Sequence, residues 1–144
     1  MATIADLSVE QIKNHLIAGG FLAAFTDILG NAQPAPKVQE YELDVTDMTP
    51  GDRVIMIRDT GSVNSANRFL SKEQPMMILV VGRANLRDLI IAKGLANDME
   101  KYLNDNFSDG GCVCNVNTAG VTGPFILPDA RRAFEINITA FFDI

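Results

Sequence analysis

From Phe134 onward the chain alternates. Phe134, Ile136, Ile138, Ala140, Phe142 and Ile144 fall on one side, and Glu135, Asn137, Thr139 and Asp143 on the other, with Phe141 the exception. A period of two is the side-chain period of an extended strand. A strand that is apolar on one face and polar on the other belongs to a sheet covered on one side, as antiparallel sheets commonly are. This segment commits the chain to a sheet and requires something else in the sequence to cover its apolar face.

Residues 85–104 supply the cover. Leu86, Leu89, Ile90, Ala96, Met99, Leu103 and then Phe107 recur at helical spacing, while Arg87, Asp88, Lys93, Asn97, Glu100 and Lys101 fall largely elsewhere. Asn85, with Asp88 three residues on, reads as the N-terminal cap. A second helix opens the chain. There Ser8 and Gln11 form a capping box ahead of Val9, Ile12 and Leu16. Gly19-Gly20 weakens that helix, residues 21–29 resume it, and Gly30 stops it.

The unbroken apolar run from residue 76 to 81, bounded by Pro75 and Gly82, reads as a strand central in the sheet. Pro34 and Pro36 make residues 31–37 a connector. Residues 38–45 and 53–58 read as two further strands, and the turn signal Pro50-Gly51-Asp52 between them predicts a hairpin. Residues 59–74 are polar and read as a long loop. Residues 112–117 read as a strand, and 118–129, with Gly120, Gly123, Pro124 and Pro128, as mostly connector. The expected fold is α+β: a mixed, largely antiparallel twisted sheet, with the long amphipathic helix and the N-terminal helix packed on one face. Its 144 residues fit a single domain, 1–144.

Charge narrows the partners. Lys and Arg number 12 against 18 Asp and Glu, a formal balance of −6. Phosphate binding needs clustered cations, so general nucleic-acid binding is disfavoured, as is an anionic membrane surface. No stretch reaches the ~18–20 apolar residues of a membrane span. The N-terminus shows no basic region followed by an apolar one, so no secretory signal is expected. Two cysteines make no disulfide framework, and the expected compartment of synthesis is a reducing cytoplasm.

A search for chemistry returns little. His15, the one histidine, sits between Ile12 and Leu16 with no nucleophile in sequence reach, and reads as structural or surface. Cys112 and Cys114 form one C-x-C without the further ligands that structural zinc requires. Gly82-Arg83-Ala84-Asn85 joins a strand to a helix without a phosphate-binding fingerprint. Asp44, Asp47, Asp52, Asp59, Asp98 and Glu100 show no acid/base spacing. No catalytic residue, metal or cofactor is expected.

Two segments, 59–74 and 118–132, are long beside the usual connection of about 4–6 residues. They carry Arg58, Asp59, Arg68 and Phe69 in and beside the first, and Phe125, Ile126, Leu127, Arg131 and Arg132 in the second. Apolar residues flanked by Arg are typical of protein interfaces. The alternative is that Phe125 and Leu127 tuck under the sheet. The candidate interface set is Arg58, Asp59, Arg68, Phe69, Phe125, Leu127, Arg131 and Arg132.

The order of elements resembles a known family. Segment 75–104 followed by 132–144, with residues 77–82 as strand, 86–103 as long helix and 134–142 as closing strand, resembles the tail terminator and minor tail proteins of long-tailed bacteriophages, of the lambda type. Segment 21–37 lies outside the matching pattern. The resemblance implies a structural virion protein: a ring, expected to hold six copies, that seats on the tail tube, stops its polymerisation and presents a surface to the head connector. It implies tail tube protein and head–tail connector as partners, DNA passing through without specific binding, no membrane, and a place at the tail neck after assembly in the host cytoplasm. A neck or head-completion protein of similar fold is the near alternative. A small enzyme, or an adaptor that binds peptides on a sheet edge, is the alternative of a different class.

Overall fold

A computed structural model describes residues 4–60, 64–67, 71–108 and 113–143. Helix α1 (Ile4–Ala18) is followed by a two-stranded antiparallel ribbon, β1 (Phe25–Thr26) with β2 (Ala32–Gln33). Then come β3 (Lys37–Glu40), β4 (Val54–Asp59), β5 (Asn64–Asn67), β6 (Ser71–Val81), α2 (Leu89–Asp105), β7 (Val113–Ile126) and β8 (Arg132–Asp143). The main sheet runs β3-β4-β6-β8-β7, with β5 paired to β6. All its described pairings are antiparallel except β3 with β4.

The closing strand behaves as its alternation predicts. Phe134, Ile136, Ile138, Ala140 and Phe142 are buried in one core with Ile55 and Ile57 of β4, Met76, Ile78 and Val80 of β6, and Val116 of β7. Val9, Ile12 and Leu16 of α1 and Ala92, Leu95, Ala96, Met99 and Leu103 of α2 complete that core, so both helices lie on one face of the sheet. β6 is central, as its apolar run predicts, with β4 and β8 on either side.

The opposite face carries a second, smaller cluster at one end. There Val54, Val81 and Ala133 are buried beneath Leu43, Met48, Leu79 and Leu127. Farther along, the same face presents Asn137 and Thr139, half-buried, and Asn117, exposed. The α+β fold with helices on one face is therefore observed, and several local expectations are corrected.

Helix α1 begins a turn earlier than Ser8, because nothing in residues 4–7 breaks a helix, so Ser8 lies inside it. Residues 21–29 do not resume the helix. The Asp27 carboxylate accepts from the Leu29 and Asn31 backbone N–H groups at 2.8 and 2.9 Å, and this local bonding closes the β1–β2 ribbon in place of helical pairing. Gly30 serves that turn at φ +85°.

β3 and β4 pair in parallel and not as a hairpin. Parallel pairing needs a crossover of about a dozen residues, and residues 41–53 supply it. The Gln39 side chain holds the crossover's start by accepting from the Asp44 N–H and donating to the Asp44 carbonyl.

Within the expected 59–74 loop, β5 and the first part of β6 are strand. The expected connector 118–129 is mostly the second half of β7, whose pairing with β8 shifts register between Thr118 and Val121 and between Thr122 and Phe125. Gly120 and Gly123, at φ +91° and +137°, sit at those shifts. They form bulges that let the strand continue. Leu86 before α2, Ile90 on it and Phe107 after it are exposed, whereas Ala92 and Leu95 are buried. A 3-10 turn over Leu86–Asp88, capped by Asn85, precedes the helix and shifts its phase.

Candidate assembly surface

His15 is structural. It is buried on α1, with Nε2 2.6 Å from the Asn106 carbonyl and its ring 5.2 Å from that of Tyr102. It ties α1 to the end of α2. Backbone of Cys114 lies in β7, and Cys112 lies outside the described residues. Among the described residues, no cluster of three His, Cys, Asp or Glu is placed to hold a metal ion. No helix among them is long and apolar enough to cross a membrane.

The β7–β8 end gathers several of the candidate residues. Phe125 pairs with Ala133 and Ile126 with Arg132. The chain then turns, with the Leu127 N–H donating to the Arg131 carbonyl at 2.9 Å. Phe125 is 43% exposed and Ile126 is 72% exposed. Side chains at that exposure leave a large part of their apolar surface in water.

Arg131 is not part of that exposed set. Only 1% exposed, it donates from Nε to Asp129 at 2.6 Å and from Nη1 to the Asp52 and Gly82 carbonyls at 2.6 and 3.0 Å, and Nη2 donates to the Thr49 carbonyl. Its five donors suit such a fan of carbonyl acceptors. The side chain clamps the crossover and the strand–helix turn to the hairpin, so the expectation of an exposed anchor at Arg131 is corrected. Arg132, its neighbour, remains half-buried at the hairpin, and its Nη1 donates to the Ala130 carbonyl.

The clamp frames an apolar pocket of about 270 Å³, lined by Leu43 and Met48 of the crossover and by Leu127, Pro128, Asp129 and Arg131 of the turn. The crossover is acidic in sequence, with Glu42, Asp44, Asp47 and Asp52 and no Lys or Arg in residues 41–52, while the pocket's own charged lining is the Asp129–Arg131 pair. The Asp44 carboxyl is held below its ordinary value first by the Thr46 hydroxyl and then by the Thr46 N–H. The Thr49 N–H does the same for Asp52. Both therefore stay ionised at neutral pH.

Arg58 and Asp59 lie elsewhere. They end β4 opposite Met77 and Met76, whereas the β4 residue near the hairpin is Val54, opposite Val81. Five strand steps separate Val54 from Asp59, roughly 17 Å. The structure thus brings Phe125, Leu127, Arg131 and Arg132 together and leaves Arg58 and Asp59 apart. Arg68 and Phe69 lie outside the described residues. Sequence reasoning missed Leu43 and Met48, for which the available signal was two apolar residues inside an acidic, base-free stretch.

A family model for phage tail termination proteins matches residues 7–143. This chain belongs to the phage tail termination protein family. The match runs from within α1 to the last residue of β8, so it includes the hairpin, the crossover and the pocket between them. Membership makes the chain a structural component of a phage tail, in a family of structural proteins that act in tail assembly. No curated protein matches the sequence.

Proposed function

We propose that this chain forms a ring on the last ring of the tail tube, stops further polymerisation there, and offers its outer surface to the head connector at the tail neck. The match to tail termination proteins over residues 7–143 carries this reading. The exposed Phe125 and Ile126, with Arg132 beside them, are apolar and cationic groups for contacts between subunits or with the tube. Arg58, exposed at the far end of β4, with Asp59 beside it, is a second contact region.

A ring needs heterologous contacts that close under rotation. Six copies would carry 6 × −6 = −36 formal charges. Such a ring repels phosphate and lets DNA pass without binding it. The reading assigns no cofactor, no catalysis and no membrane partner.

The test is electron microscopy of particles made without this chain. Overlong tails are the expected result. Tails of normal length on detached heads would assign the chain to the neck or to head completion and overturn termination.

A further inference from the structure

The outer side of α2 carries an aliphatic stripe. Leu86, in the 3-10 turn ahead of the helix, lies one turn before Ile90, and Gly94 lies one turn after it, so the three share a side. Ile28 of the β1–β2 turn stands over Gly94: a Cβ there would lie 3.3 Å from Ile28 Cβ. Leu29 follows Ile28. Leu86, Ile90, Ile28 and Leu29 are 48% to 66% exposed. Aliphatic side chains so grouped make a patch, which scattered exposed residues do not.

Two cations flank the patch. Arg87 and Lys93 stand three residues before and after Ile90, which sets both beside it on the helix. Both are exposed, and among the described residues neither head group has a salt bridge or a hydrogen bond. Lys101, farther along α2, is instead paired with Asp105 at 2.8 Å.

The complementary surface lies on the other side of the sheet. The crossover is there, because Leu43 and Met48 pack on Val54, Val81 and Ala133, whereas α2 packs on the larger core of the opposite face. Around Leu43 the crossover exposes Tyr41, Glu42 and Asp44. Nearby, Asp47 is paired with Lys37 and Glu40 with Lys13. Among the described residues, Glu42 and Asp44 have no salt bridge, and the Thr46 hydroxyl and N–H donate to Asp44 and keep it ionised.

Two unpaired cations beside aliphatic side chains thus face one way, and two unpaired carboxylates beside an exposed tyrosine face the other. With the sheet between them, they do not meet within one subunit. Patch on patch, or crossover on crossover, would set like charges together. Patch on crossover joins opposite charges, and it joins copies head to tail, the contact that a ring is built from.

We propose that the Leu86–Ile90–Ile28 stripe of one copy of this chain seats on the crossover of the next, with Arg87 and Lys93 against that copy's Glu42 and Asp44 and the aliphatic side chains against its Tyr41. The contact rests on the reading of the chain as a self-assembling subunit and names the two surfaces that join successive copies.

The test reverses charge on each side in the full chain. One variant carries Arg87→Glu with Lys93→Glu, the other Glu42→Lys with Asp44→Lys, all at exposed positions. In light scattering behind size exclusion at low salt, the parent should form multimers. Each variant alone should associate on the order of tenfold to a hundredfold more weakly, because like charges then face each other. Mixed in equal amounts, the two variants should rebuild multimers in alternation, since every junction again joins opposite charges. Ile90→Ser should weaken the parent's association by about tenfold, the worth of part of one aliphatic side chain left in water.

Far-UV circular dichroism checks that each variant is folded. If the crossover variant does not fold, Glu42→Lys alone replaces it and spares the bonds between Asp44 and Thr46. A parent that stays monomeric, a reversed variant that associates as the parent does, or folded variants whose mixture stays dissociated overturns the proposal. So does a patch variant that keeps its multimers and loses binding to the tail tube, which would make the tube protein the occupant. Tail length in particles lacking the chain is read separately, so termination can fail while this contact stands.

Discussion

Arg53 and Asp88 form a buried ion pair that joins the start of β4 to the start of α2. Arg53 Nη2 lies 2.6 Å from Asp88 Oδ1, and Nε contacts both carboxylate oxygens at 3.1 and 2.9 Å. Arg53 Nη1 donates to the Gln33 side chain at 2.7 Å, and the Arg83 N–H donates to Asp88 Oδ2 at 2.8 Å. The pair therefore gathers the β1–β2 ribbon, β4, the strand–helix turn and α2 at one point. Gly82 approaches so closely that a Cβ there would lie 3.1 Å from Asp88 Oδ2.

Breaking this pair on one side should be costly. Arg53→Met or Asp88→Leu alone leaves the partner charged and buried, a loss of about 3–5 kcal/mol. Replacing both together removes the stranded charge and should cost less than either single change. Urea melts of the three variants measure this. Single losses under about 1 kcal/mol, or a double variant worse than both singles, would contradict the account.

Arg131 and Arg132 are adjacent in sequence and opposite in consequence. Arg131→Glu removes several hydrogen bonds and sets a carboxylate against the Thr49, Asp52 and Gly82 carbonyls, so it should destabilise by about 3 kcal/mol or more. Arg132→Glu should keep stability within about 1 kcal/mol, as substitutions away from the core do. The two denaturation midpoints, measured side by side, decide whether the clamp is as described.

That contrast shows where the sequence was legible. The alternation through Phe142 and the apolar run at Met76 name their strands directly, because burial on one face or both leaves a local period. Nothing local separates Arg131 from Arg132, and the role of Arg131 depends on carbonyls 49 to 82 positions away. Asp88 reads as a helix-start residue, and its partner lies 35 positions back. The glycines of β7 signal a break, and only pairing with β8 converts the break into bulges. The Pro50-Gly51-Asp52 turn is a true local signal, but it lies in a crossover between parallel strands, and periodicity does not distinguish a crossover from a hairpin. At the candidate surface, Phe125 and Leu127 could be singled out from the sequence, while Leu43 and Met48 join them only through the crossover's path.

Ile138 tests the facing of the closing strand. It is 3% exposed, on β8 between Met76 and Thr118 in register. Ile138→Asp would put a carboxylate without partners into the core shared by both helices, a cost of several kcal/mol. The protein should lose cooperative unfolding and its near-UV circular dichroism. A variant with a sharp thermal transition close to that of the parent would mean that the strand faces the other way.

Acid should weaken the fold through Asp27. The Asn31 N–H above all, then the Gln33 side chain, the Leu29 N–H and the Arg53 charge, lower its carboxyl below the ordinary value against the opposing cost of burial. Asp44 and Asp52 are lowered as well. A carboxylate whose value is lowered by folding stabilises the native state fully above the unfolded value, near 3.9 for Asp, and that contribution fades as pH falls through the folded value. Unfolding free energy should therefore hold from pH ~7 to ~5 as far as these groups govern it, and decline below pH ~4. In Asp27→Asn the neutral amide still offers an acceptor to the turn but does not titrate. Its stability at pH 7 should be lower than the parent's, and its acid limb shallower, so the two curves converge at low pH. Parallel curves across pH 2.5–7 from urea melts would show that Asp27 contributes nothing to the acid response.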